Sequence, residues 1–295
     1  MTAMRMAAWP GQGHERAGRR RSLPGRVLAD PRGRIGAAGV VVIVVVALLA
    51  PLAPHGPFAQ DASGRLLAPS WEHPFGTDEL RRDLLARTAY GLRLSLAVSI
   101  AAVLAGATAG TAFGFVAGYA GRRVDAALMR LIDAWMAFPA LLTALAILTI
   151  LGPGMRNVGI ALAVFNVPVF ARMARAQMLV ERRREYVLAA GALGAHPARV
   201  IARHIAPNAL PPLVTHLALA MTGAIMVAAA LSFLGLGERA PEPSLGSLIS
   251  ASRTHLRDAW WYAAFPGGVL TALLLSFTLL ADATNDALGA GAGGR

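Results

Sequence analysis

The sequence predicts an all-α fold: a polytopic membrane helix bundle with six transmembrane helices. Three observations carry this. Only 15% of the residues are charged and 56% are hydrophobic, with a mean hydropathy of +0.53, whereas a soluble domain carries roughly 25% charged residues. The apolar residues gather into blocks close to the ~20 residues that a helix needs to cross a bilayer. Between the blocks stand arginines, glycines and prolines, the residues that end helices and stay in water.

Residues 1–34 are rich in arginine, glycine and proline and are expected to be partly disordered. Residues 35–53 form the first span, valine-rich at "VVVIVVVALLAPLA". The basic segment before it is very long for a secretory signal, so the span is expected to stay uncleaved. Residues 54–91 form an external segment, and 92–288 hold the remaining spans. The second, Leu92–Tyr119, carries Gly106, Gly110, Gly114 and Gly118, one glycine every fourth residue. Small residues at that spacing share one helix face and let two membrane helices approach closely.

A basic turn, "GRRVD", leads to a third span, Ala126–Leu151, with Asp133 near its start and Pro139 near its middle. An intramembrane carboxylate is expensive, so Asp133 is expected to pair with Arg130 or to sit at the interface. The fourth span, Val158–Met178, is expected to be interrupted at Pro168. The fifth and sixth are Leu210–Leu236 and Tyr262–Ala283, and 289–295 form a short tail. Trp260, Trp261 and Tyr262 are expected at the outer membrane interface.

All 28 basic residues are arginine, and the net charge is +12. These arginines flank apolar spans, which positive-inside topology explains without a nucleic-acid partner. Eight precede the first span and seven lie between Arg172 and Arg203, whereas segments 54–91 and 237–261 balance arginine with acids. Both termini and the loop after the fourth span are therefore expected in the cytoplasm. Cysteine is absent, which excludes disulfides and thiolate metal sites. With no lysine, the phosphate loop GxxxxGK[ST] cannot form. ATP and Mg²⁺, if the protein uses them, must be bound by another chain. His196, His204 and His216 have no metal-ligand spacing with carboxylates.

The loop after the fourth span reads "ERRREYVLAAGALGAHPARVIARHIAPNALP", Glu181 to Pro211. Glu185, Leu188, Ala189 and Ala190 favour a helix, Gly194 suits its C-terminal cap, and Pro197 suits the first turn of a second helix. That second helix is expected to end at Pro207. Val187, Leu188 and Leu193 are expected to offer apolar surface to a groove in a partner.

This stretch resembles the cytoplasmic signature of binding-protein-dependent ABC importer permeases, which in the peptide-importer branch runs roughly E-A-A-x-x-x-G, then I-x-P. Ala189, Ala190, Gly194, Ile205 and Pro207 match it, while Leu188 replaces the glutamate and Ala206 the usual leucine. "HPFGTDELRRDLLARTAYGLRLSL" resembles H-P-L-G-T-D-x-x-G-R-D, with Arg81 in place of glycine. "MRLIDAWMAFP", "ALSFLGLGERAPEPSLGSLI" and "AWWYAAFPG" also match. The family is the dipeptide, oligopeptide and nickel permease group, and the chain looks most like its C-type subunit.

The resemblance implies a multi-pass protein of the bacterial inner membrane. Its partners would be a second permease, giving a heterodimer, two ATPase subunits and an external substrate-binding protein. Glu185, Tyr186, Leu188, Ala189, Ala190, Gly194, Ala195, Pro197, Ile205 and Pro207 would form the loop that couples to the ATPase. The chain itself would not be an enzyme and would bind no cofactor. Nickel and glutathione importers share these motifs. An ion-coupled secondary transporter is a different class; it calls for ionisable groups near the midplane, and the spans carry only Asp133 and Asp282, both near cytoplasmic ends. A scaffold without a translocation path is a third reading.

Overall fold

The apolar blocks fold as helices whose ends fall where the chain supplies a cap or a breaker. The computed structural model describes residues 23–292 except Asp61, Ser63 and Arg239. Residues 1–22 of the basic N-terminal segment and 293–295 of the tail lie outside the described residues. The helices are α1 (Leu23–Val27), α2 (Pro31–Leu49), α3 (Leu84–Ala120), α4 (Arg122–Met136), α5 (Ala140–Leu151), α6 (Met155–Glu181), α7 (Glu185–Ala192), α8 (Pro197–Val200), α9 (Ala206–Phe233), α10 (Leu245–Ser252) and α11 (Trp260–Ala292). Two isolated antiparallel bridges, Gln60 with Arg82 and Thr77 with Asp83, are the strand-like pairings among the described residues.

Five helical segments are long and apolar enough to cross a membrane, and a bent pair makes a possible sixth. That pair corrects the third span. It is not one helix: α4 and α5 meet at 87°. Pro139 has no N–H to donate and disfavours helix at the preceding residue, so the chain turns between Met136 and Ala140. Asp133 does not pair with Arg130; Arg172 on α6 binds it, and Arg175 binds Asp125. Both ion pairs strap the polar α4 to α6.

Other boundaries move as well. The second span begins at Leu84, because the Asp83 carboxylate caps α3 by accepting the Ala86 N–H at 2.7 Å. The last part of the expected external segment is therefore helix. Pro168 does not interrupt the fourth span; α6 runs through it, with the proline buried. A membrane helix tolerates an interior proline where neighbouring structure covers the disturbed backbone. The last helix continues to Ala292, into the expected tail.

The core joins α2, α3, α5, α6, α9 and α11 through residues such as Ile43, Leu92, Leu148, Leu162, Ile225 and Leu273. Its closest seam is α3 against α6, where Gly106, Gly110, Gly114 and Gly118 are buried. A Cβ at Gly106 would lie 2.6 Å from the Ala163 carbonyl, and one at Gly118 2.6 Å from Met178 Cγ. The α2 helix approaches α11 in the same manner, since a Cβ at Gly36 would stand 2.7 Å from the Leu280 nitrogen. Near that seam Val27 of α1 packs on Ala283 and Ala287 of α11. Both ends of the described chain thus share one end of the bundle with α7 and α8.

At the opposite end the segment before α3 folds around buried charge. Asp78 is fully buried; its carboxylate accepts the backbone N–H of Leu80 and Arg82 and the Arg82 Nε–H at 2.7 Å, and lies 3.2 Å from Arg87 Nε. Arg87 also donates to the carbonyl of Pro57. Tyr262 is buried here with Leu84, Leu248 and Ala259, and Trp261 packs against the cluster. The aromatic run is therefore mostly a packing element; of the three, Trp260 is the exposed one.

Candidate functional site

The Glu181–Pro211 stretch folds into a helical hairpin whose bend is built by glycine. The α7 helix ends in a Schellman motif: the Gly194 N–H donates to the Gly191 carbonyl at 3.0 Å, and the Ala195 N–H reaches back to the Ala190 carbonyl at 3.1 Å. This closure puts Gly194 at φ +77°, with nothing within 4 Å of the position its Cβ would occupy. Backbone handedness alone demands glycine there. Pro197 starts α8 with His196 as cap, its Nδ1 facing the Ala198 N–H at 3.4 Å.

The hairpin is anchored to the bundle. Val187 of α7, Val200 of α8 and Ile205 are buried with Met178 of α6 and Ala209 of α9, and Phe115 and Tyr119 of α3 pack against them. The guanidinium of Arg182 lies 5.3 Å from the Tyr119 ring centre and donates to the Tyr119 carbonyl at 3.1 Å. Tyr186 donates its hydroxyl proton to Glu181, and Asn208 Nδ2 donates to the Tyr186 oxygen at 3.3 Å. Burial and the Glu181 carboxylate hold the Tyr186 phenol above its usual range, which keeps that proton in place.

Two expectations about this stretch need correction. Pro207 does not end the second helix. A turn of π-helix at Ile201–Ile205 joins α8 to α9, and the helical path runs from Pro197 to Phe233. The wider turn leaves room for a proline that cannot donate to the preceding turn. Val187 does not offer surface to a partner, because it is the anchor. The outward apolar residues are Leu188, 61% exposed, and Leu193, 88% exposed. Glu185, Ala189, Gly194, Pro197 and Pro207 are also exposed, Ala190 and Ala195 are half-buried, and Ile205 is buried.

Known proteins share this arrangement. Residues 110–291, more than half of the chain and including the whole hairpin, match the family described as the binding-protein-dependent transport system inner membrane component. The chain belongs to that family. The inner-membrane component is 42% identical over 77% of its length to a dipeptide transport system permease of Alkalihalophilus pseudofirmus, covering 74% of that protein. It is 37% identical over 81% of its length to a probable D,D-dipeptide transport system permease of Escherichia coli, covering 80% of it. Its fold also matches a chain of the inward-facing MetNI methionine ABC transporter, with a TM-score of 0.55 at 21% identity, over 70% of this chain and 95% of that one.

The component shows why its motif departures are tolerated. Leu188, where the resembled signature has glutamate, points away from the buried cluster, so no polar anchor inside the hairpin is lost. Arg81, where the resembled external motif has glycine, adopts φ +64°. A side chain in that conformation costs about 1–2 kcal/mol, and the neighbouring Asp78 contacts hold the turn despite it. The sequence marked that motif only by resemblance; its role as a charge-centred lock needed the fold.

Proposed function

We propose that this chain is one permease subunit of an ATP-driven importer in the bacterial inner membrane, carrying di- and oligopeptides delivered by an external binding protein. The α7–α8 hairpin is its ATPase dock. The observation that carries this reading is a hairpin fastened to three bundle helices by its inner face while Leu188 and Leu193 project from its outer face. A fastened hairpin transmits a push to α6 and α9; a mobile linker absorbs it. The ATPase supplies the groove for the two leucines and holds the ATP and Mg²⁺, so this chain performs no catalysis. The arginine distribution puts the hairpin and both termini in the cytoplasm. A second permease, paired as a heterodimer, completes the path, and peptide names among the relatives support peptide cargo over nickel or glutathione.

The absence of cysteine gives a direct test. Leu188→Cys and Leu193→Cys should each cross-link to a cysteine in the groove of the ATPase, and Val187→Cys, buried at 6% exposure, should not. Glu242→Cys should be labelled from outside the cell. Reconstituted uptake should require ATP, both ATPase subunits and peptide. Uptake driven by an ion gradient without ATPase chains would mean a secondary transporter, and external labelling at Arg183→Cys would reverse the topology.

A second expectation concerns the bend. Gly194→Val should leave the protein in the membrane but cut uptake and substrate-stimulated ATP hydrolysis at least tenfold, because a β-branched residue is a genuine outlier at positive φ. Gly194→Asn, which tolerates the left-handed region, should retain most activity. Equal activity in both variants would show that the bend does not matter.

A further inference from the structure

We propose that His55, Glu72 and His73 bind a divalent transition-metal ion of the zinc–nickel class at the end of the bundle opposite the hairpin. Each residue offers one ligand atom, and these atoms all lie within 4.8 Å of one another. Zinc holds imidazole nitrogen and carboxylate oxygen at ~2.0–2.2 Å, so the three atoms must close to about 3.5 Å from one another. Glu72 is exposed and His55 half-buried, and small side-chain rotations of these two achieve the closure. Two histidines and one carboxylate suit zinc with an open fourth position, and imidazole also suits nickel and copper. With no cysteine in the chain, a nitrogen and oxygen donor set is the one available.

A second observation points to a ligand site rather than to chance proximity. Buried His73 directs its Nδ1 to the buried Asp83 carboxylate at 3.0 Å. A carboxylate accepting the proton of one ring nitrogen fixes the tautomer and makes the other nitrogen a better metal donor. Asp83 cannot swing away, because its other oxygen caps α3 through the Ala86 N–H at 2.7 Å. The backbone around His73 is equally fixed: its N–H donates to Ser70 Oγ at 3.1 Å, and its carbonyl accepts the N–H of Ser70 and Gly76. On the other side, the loop bearing His55 is tied to the start of α3 by the Gln60–Arg82 bridge. The His55 and His73 rings, 4.8 Å apart between centres, border a recess of about 240 Å³ that Asp83 also lines. An ion there joins the loop after α2 to the segment before α3 and stabilises the external end by mass action. The site is resident in the fold and separate from the cargo path.

The full-length chain, purified in detergent with a tag free of histidine, tests this by titration calorimetry with ZnCl₂ and NiCl₂ alone. The wild type should show one saturable site lost in His55→Ala. Glu72→Gln, at an exposed position that leaves the fold intact, should lower the affinity at least tenfold. Zinc should also raise the melting temperature of the wild type and leave that of His55→Ala unmoved. A wild-type titration without a saturable site overturns the proposal, and so does unchanged affinity in Glu72→Gln and His55→Ala. Both results are independent of which substrate is carried.

Discussion

Replacing Gly114 with leucine should abolish accumulation of the assembled protein in the membrane. A single Cβ at this position would stand 2.7 Å from Ala174 Cβ and 2.8 Å from the Arg175 nitrogen, with the Ala171 carbonyl closer still. Two of the three atoms met are backbone, so no rotamer change relieves the clash; α3 and α6 must separate. Overpacking a tight site by a few methylenes costs about 1–3 kcal/mol, and leucine against backbone should reach or exceed the upper end. Three kcal/mol is about a hundredfold in an equilibrium. Gly110→Leu should behave alike, since its Cβ would sit 2.8 Å from Phe170 Cβ. Separation also breaks the Arg175–Asp125 and Arg172–Asp133 straps nearby, so α4 loses its register. Gly223→Ala on α9 is the control: nothing lies within 4 Å of its Cβ position, and its level should match wild type. Normal yields of Gly114→Leu in detergent-solubilised membranes would mean that the seam opens at little cost.

The second large effect is expected at Asp78. This fully buried carboxylate faces Arg82 and Arg87, which are 7% and 5% exposed. Asp78→Ala leaves two guanidinium groups without their counter-charge, and removing one partner of a buried ion pair costs roughly 3–5 kcal/mol. It also removes the acceptor for the backbone N–H groups of Leu80 and Arg82. Asp78→Asn keeps an oxygen for those N–H groups but no charge, so it should fall between wild type and alanine. The measurement is limited proteolysis from the outer face, where cleavage between Ala53 and Leu84 should rise in the order wild type, asparagine, alanine. Because the ends of α3, α10 and α11 meet here, the melting temperature should follow the same order. Equal protection of all three proteins would show that the arginines find other partners and that Asp78 is not the lock.

The hairpin was more legible than the external lock, and the reason is range. Glycine at a helix C-terminus and proline at an N-terminus act through the local backbone, so Gly194 and Pro197 could be placed from the sequence and stand where such residues stand. Asp78, Arg82 and Arg87 form one charge cluster only because the chain folds back on α3, and no periodicity announces that. His55 and His73 were invisible as a pair for the same reason, being 18 residues apart in a loop. Proline misled twice. Pro168 and Pro207 read as breaks, yet packing around α6 and one π-turn before α9 carry the helices through, while Pro139 does break its span.

By itself the sequence determined the membrane class, the apolar blocks, the glycine spacing at 106, 110, 114 and 118, and the cap residues of the hairpin. These depend on transfer free energy and backbone geometry, which each residue carries wherever it stands. Only the tertiary structure decided that those glycines face α6, that Val187 anchors the hairpin while Leu188 and Leu193 project, and that Asp133 pairs with Arg172. Such choices are made between surfaces distant in sequence, where steric fit and buried charge select one arrangement among several that satisfy the local pattern equally well.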